Sequence, residues 1–190
     1  MLRFLSFALA ATLLTTACGD DDEQIAITED QLVGTWNFDD ATAETTVASN
    51  VNGTTINTDA TSALQRSDAT ITFAADGTWR MAGTYDARIT YGSSPVAIPD
   101  QDLTIDANAL AGGWAIAGAN VILQGEGLVP DPQTGTTSFE SSSNVNTVVS
   151  FSAGERLVLR NVRDTVFDFS QQGINNSVSI AIDQTITLTQ

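Results

Sequence analysis

The sequence predicts an all-β fold, an antiparallel up-and-down barrel of roughly eight to eleven strands. Three observations carry that reading. Apolar and polar residues alternate with a period of two, turn signals fall between the alternating runs, and beyond residue 32 no segment shows a helical period. Successive strands joined by tight turns imply a meander, because a parallel sheet needs crossovers of about a dozen residues or more.

The clearest run begins at Trp79. Its odd row reads Trp79, Met81, Gly83, Tyr85, Ala87, Ile89, Tyr91, and its even row reads Arg80, Ala82, Thr84, Asp86, Arg88, Thr90. That is one long strand with an apolar face and a wet face. The C-terminal run repeats the pattern with Val178, Ile180, Ile182, Ile186 and Leu188 on one face, and Gln184 as the single polar member of that row. Ala75-Asp76-Gly77 joins the run Ala69–Phe73 to the Trp79 strand, and Asp-Gly between alternating runs is a strong hairpin marker. Gly118-Ala119-Asn120 and Ser152-Ala153-Gly154-Glu155 separate two further pairs. Residues 40–66, rich in Thr, Ala and Asn, read as an irregular strand pair or a long loop. Gly92 to Pro99 and Leu128 to Ser143 read as loops, the latter because Pro130 and Pro132 exclude a central strand.

Composition removes many functions. The chain of 190 residues carries 23 acidic and seven basic side chains, for a net charge of −16, and has no histidine. All seven basic residues are arginine. Binding to nucleic-acid phosphates is therefore not expected. Without histidine there is no Ser-His-Asp or Cys-His pair and no histidine-ligated metal, and without lysine no Schiff base or P-loop lysine. Hydrophobic residues at 42% are enough to fill a core.

The N-terminus is an address. Arg3 precedes an uncharged apolar stretch from Phe4 to Leu14, and small residues lead into Cys18, which is the n-region, h-region and cut-site layout of an export signal over residues 1–17. Thr15-Thr16-Ala17-Cys18 resembles a bacterial lipobox, with threonine at the position where that pattern prefers leucine. The alternative is an ordinary secretory signal with Cys18 incidental. Lipidation is the preferred reading because Cys18 is the only cysteine and stands where a lipobox requires it. Residues 18–31 then form an acidic tether. An acidic run directly after such a cysteine resembles the tag that exports lipoproteins of Bacteroidota to the cell surface.

Further motifs place the remaining domain, residues 32–190. Leu32-Val33-Gly34-Thr35-Trp36 resembles the opening motif of the lipocalin superfamily, in which the tryptophan plugs the closed end of the barrel. Ile71-Thr72-Phe73 with Asp76-Gly77-Thr78-Trp79, then Gly113-Trp114-Ala115-Ile116 with Val121-Ile122-Leu123, resemble the next two hairpins of small lipocalin-like lipoproteins of Bacteroidota. Val148-Val149-Ser150-Phe151 before Leu157-Val158-Leu159-Arg160 resembles the one after. The resemblance implies a barrel closed by Gly34 and Trp36, with Arg160 or Arg163 over the indole.

It also implies an exported, non-enzymatic protein without a cofactor, anchored to the outer membrane through Cys18 and binding a small hydrophobic ligand. The interior candidates are Trp79, Met81, Tyr85, Tyr91 and Trp114. These would orient an apolar ligand in an open barrel or pack the core of a filled one, and barrels of about eight strands do both. In the filled case the protein would be a surface interaction module using its loops. Asp100, Asp102 and Asp106 are the only other notable carboxylates. They lack the glycine-turned spacing of a calcium loop and read as a solvated strand edge.

Overall fold

Alternating rows of this kind bury one face of a sheet, and a sheet whose ends meet can bury that face against itself. The computed structural model describes residues 25–51, 53–92, 97–125, 128–129, 144–168 and 176–190. A short helix α1 (Glu29–Leu32) leads into β1 (Gly34–Val51), β2 (Thr54–Ser67), β3 (Thr70–Phe73), β4 (Thr78–Ala82), β5 (Thr84–Tyr91) and β6 (Gln101–Asp106). A 3-10 turn (Ala107–Ala109) precedes β7 (Ala111–Ala117), β8 (Asn120–Gly125), β9 (Asn144–Ser152), β10 (Arg156–Asp168) and β11 (Asn176–Thr189).

These eleven strands make eight staves. β1 pairs with β3 at its start and with β2 along its later half, so β2 and β3 form one interrupted stave. β4 with β5, and β6 with β7, are interrupted in the same way. β8, β9, β10 and β11 follow in order, each antiparallel to the last. β11 then pairs with β1 from Asn37–Thr189 to Val51–Asn176, closing an antiparallel eight-staved barrel. The fold class is the one expected, and it is consistent with a lipocalin-like barrel.

The three interruptions lie side by side. Phe38 N–H donates to Ala69 O, Asp68 N–H to Thr84 O, and Ala107 N–H to Gly83 O, at 2.9, 3.0 and 3.0 Å. On its other edge β1 slips register between Phe38 and Asp40. One seam of bulges therefore crosses four adjacent staves, and bulges and glycine kinks are what bend a sheet toward closure. Asp68 fastens the seam by accepting from both Thr84 N–H (2.6 Å) and Thr84 Oγ1 (3.0 Å). Those donors hold its carboxyl below the ordinary aspartate range.

For residues 40–66 the structure chooses the strand pair over the long loop. β1 and β2 run in unbroken antiparallel register from Thr42–Ala63 to Val51–Thr54, and Gly53 N–H donates to Asn50 Oδ1 at 3.1 Å. Regular alternation is present there, but the buried row is Ala41, Ala43, Thr45, Ala60 and Ser62, which is too small and polar to stand out as apolar.

Gly83 sits on the seam at φ +98°, and a Cβ there would meet Asp68 O at 2.7 Å. Gly83→Ala therefore combines a disfavoured backbone conformation with a clash against main chain. We expect it to lower stability by about 1–3 kcal/mol in urea unfolding. An unchanged midpoint would contradict the role given to the seam.

Candidate functional site

The barrel interior changes character along its axis. Below the seam the inward rows are large. Trp36, Ile71, Phe73, Trp79, Met81, Trp114, Leu123, Leu157, Leu159 and Leu188 are buried in one cluster. Phe73 meets Trp114 edge-on at 6.0 Å between centroids, and Phe38 meets Tyr85 at 5.1 Å. Every large polar handle in this region has an acceptor. Trp36 Nε1 donates to Leu32 O (2.9 Å), Trp79 Nε1 to Gln124 O (3.0 Å), and Trp114 Nε1 to Ala74 O (3.0 Å). Tyr85 Oη donates to Leu128 O at 2.9 Å, with Leu128 and Val129 buried beside it.

This end is stoppered from the N-terminal side. Ile27 and Leu32 are buried in the same cluster as Trp36, and Ile25 packs against it. Gly34 makes the corner from α1 into β1 at φ +143°. Thus Gly34 and Trp36 stand at the plugged end. Of the residues assigned to the acidic tether, Ile27 is buried in the core cluster and Ile25 packs against it, and those before residue 25 lie outside the described residues. So does Cys18.

Above the seam the interior row becomes small and polar. Ser62, Ala43, Gln184 and Asn161 are successive lateral partners across β2, β1, β11 and β10. Asn161 Nδ2 donates to Val145 O (2.8 Å), and nearby Asn146 Nδ2 donates to Val121 O (3.2 Å). One step further toward the mouth, Thr45 lies between Ala60 and Ile182, and Ala60 lies opposite Tyr91. Here the wall forms an open cavity of about 420 Å³ lined by Thr45, Val47, Thr58, Ala60, Tyr91, Ile98 and Gln101. That volume falls within the roughly 300–1,000 Å³ typical of small-molecule pockets.

The structure thus divides the interior candidates. Tyr91 lines the cavity, Trp79, Met81 and Trp114 lie in the packed half, and Tyr85 is buried at the seam between them. Sequence reasoning missed the β1 and β2 lining residues because Thr45, Thr58 and Ala60 carry no apolar signal. Their signal was the small-residue row itself, set opposite the aromatic row of β5.

Neither arginine expected over Trp36 is there. Arg160 is on the outer face, where its Nε and Nη2 bind the two Asp183 oxygens at 3.0 and 2.6 Å. Arg163 is level with Ile182, and through it with Thr45, nine residues beyond Trp36 on β1. The Asp100 cluster is accounted for by structure: Arg88 bridges Asp100 (2.9 Å) and Asp102 (3.9 Å), and Asp106 accepts from Asn108 N–H at the 3-10 turn. Among the described residues no group of three His, Cys, Asp or Glu side chains is placed to hold a metal ion. A second cleft, about 270 Å³, lies at the seam, lined by Arg66, Ser67, Asp68, Thr84, Tyr85 and Asp86, where Arg66 pairs with Asp86 and Thr84 donates to Asp68.

Comparison with known proteins gives one match. A family model described as a domain of unknown function (DUF5004) matches residues 14–167. No curated protein and no solved structure matches the chain.

Burial pushes the Tyr85 phenol above the ordinary tyrosine range. As pH rises, the unfolded chain loses that proton first, so its contribution to stability is complete below about pH 10 and is lost above it. In urea unfolding, Tyr85→Phe should therefore show a shallower alkaline loss than the parent. At neutral pH it should be less stable by about 1 kcal/mol, since Leu128 O loses its donor. Identical alkaline slopes would contradict this assignment.

Proposed function

The chain belongs to the DUF5004 family, and on that premise we propose that it is an exported, lipid-anchored, non-enzymatic barrel that binds a small, mainly apolar molecule in its open half. The observation that carries this reading is the cavity of about 420 Å³ above a filled core, walled by Ala60, Val47, Ile98 and the Tyr91 ring. A barrel that served only as a solid scaffold would have continued its large inward residues to the mouth. Instead β1 and β2 present Ala43, Thr45, Ala60 and Ser62, whose small volumes leave the space. The address supports an anchored carrier at the outer membrane: the export signal, Cys18 as the acylated residue, and the acidic run behind it. Several acyl chains on one cysteine would hold firmly, at about 0.8 kcal/mol per buried CH₂. The charge of −16 argues against nucleic acid as partner.

A second reading has its own observation. Val162 and Val166 are 60% and 69% exposed on the outer row of β10, and Val51 and Ile56 are exposed at the tip of the β1–β2 hairpin. Exposed apolar side chains of this kind mark contact with a protein partner where they gather into a patch.

Titration with the neutral dye N-phenyl-1-naphthylamine separates the two. We expect saturable fluorescence enhancement at micromolar dye, lost in Ala60→Phe, which places a ring in the cavity. Enhancement that survives Ala60→Phe, or none in a folded protein, would move the function to the outer surface. Metabolic labelling with an alkyne fatty acid tests the anchor: label is expected on the parent and none on Cys18→Ala.

A further inference from the structure

Two inward rows of the open half end in polar groups at its opening. On β5 the row runs Tyr85, Ala87 and Ile89, all buried, and closes on Tyr91, the last residue of the strand. Beside it, β6 places Ile105 and Leu103 opposite Tyr85 and Ala87, and then Gln101, its first residue, opposite Ile89. Tyr91 is half-buried and Gln101 exposed, whereas Thr45 and Ala60 on the same cavity wall are 2% and 5% exposed. Both side chains line the cavity, and Gln101 Nε2 donates to Tyr91 Oη at 3.2 Å. Two accessible polar groups therefore stand within one hydrogen bond of each other, close enough for a single head group to reach both. The other polar lining differs: the Thr45 hydroxyl is fully shielded, and Thr58 lies on β2 opposite Val47.

We infer that Gln101 and Tyr91 form a clasp that holds an uncharged, hydrogen-bonding head group of the ligand at the opening, with its apolar chain directed inward toward Ala60 and Val47. The inference rests on the cavity reading above and adds the ligand's orientation and head-group class. The Gln101 amide carries two N–H donors and an acceptor oxygen, and the bond to Tyr91 occupies a single N–H. A hydroxyl or amide head both donates and accepts, so it matches that amide while lying within reach of the phenol oxygen. A charged head of either sign would give up hydration against a lining that carries no counter-charge. An anion is disfavoured further by its surroundings. Gln101 stands between Asp100 and Asp102, which share the one guanidinium of Arg88 at 2.9 and 3.9 Å. Asp59 adds a third carboxylate, on a residue whose backbone oxygen accepts from Gly92 N–H beside Tyr91. This excess of negative charge repels an anionic head, less so as salt is raised.

The test is displacement of bound N-phenyl-1-naphthylamine from the full-length Cys18→Ala protein, which has no acyl chains to compete. The competitors are 1-octanol, octanoate, octylammonium and 1-chlorooctane at neutral pH. We expect octanol to act at concentrations several-fold below octanoate and octylammonium. Gln101→Leu and Tyr91→Phe should each weaken octanol by about 3–10-fold without weakening chlorooctane, the range that one hydrogen bond confers, and Thr58→Val should leave octanol unchanged. Octanoate or octylammonium equal to or better than octanol would overturn the inference in favour of a charged head. Octanol unaffected by both clasp variants, or weakened only by Thr58→Val, would overturn it by placing the head elsewhere in the cavity. In either case dye binding, and with it the cavity reading, would stand. A folded protein that binds no dye overturns both.

Discussion

The pairing of β11 with β1 joins the last strand of the chain to the first, and the rest of the molecule is arranged to let that happen. An open sheet of this length would expose two edges and one apolar face. Closure removes the edges and turns the face into an interior, but it requires the staves to bend. The bulge seam through Phe38, Asp68-Ala69, Gly83 and Ala107 supplies the bend at one level across four staves. Glycine at φ +98° and the double acceptance by Asp68 are the local chemistry that makes such a break reproducible. Closure and seam together explain why strands that alternate without a gap in sequence are interrupted in space.

The same seam separates two kinds of interior. Below it, tryptophans, phenylalanines and leucines interdigitate, and each indole N–H and the Tyr85 hydroxyl reach a backbone carbonyl, so dense packing carries no unsatisfied donor. Above it the inward side chains shrink, and polar members appear at one level: Ser62, Gln184, Asn161 and Asn146. Burying such groups is unfavourable unless they are bonded, and the two asparagines are bonded to wall carbonyls, while among the described residues Thr45 Oγ1 and Ser62 Oγ have no partner. A core optimised only for stability would have replaced both hydroxyls with apolar groups of the same shape. The binding reading proposed for the open half rests on the space that its small inward residues leave beside Tyr91.

Much of this was legible from residue patterns, and the parts that were not share one cause. The Trp79–Tyr91 row announced its inward face because its residues are large, and the C-terminal row did so down to its odd member, Gln184, which is indeed buried at 7% exposure. Leu32 to Trp36 stood out by resemblance to the lipocalin opening motif, and Leu32 and Trp36 are buried in the core cluster. The β1–β2 hairpin was obscured because a wall facing empty space uses Ala, Thr and Ser on the inside and Thr, Asp and Glu on the outside, and alternation between such residues is faint. Its strongest marker in the sequence was the Asn-Gly pair at 52–53, a pair favoured in two-residue hairpin turns. The split of Tyr91 from Trp79, Met81 and Trp114 could not be read from one strand, since only the opposite wall decides which of them meets space. The arginine position depended on strand register, which alternation leaves open: Arg160 faces outward to Asp183, and Arg163 lies level with Ile182.

The central claim is that the barrel is filled below the seam and receptive above it. Proton–nitrogen correlation spectra recorded during addition of N-phenyl-1-naphthylamine test it most directly, because the indole N–H signals of Trp36, Trp79 and Trp114 all report on the filled half. The account predicts saturable shifts at the backbone amides of Thr45, Ala60 and Tyr91, with the three indole signals unmoved. Shifts concentrated on the Trp79 and Trp114 indoles, with Thr45 and Ala60 silent, would contradict it.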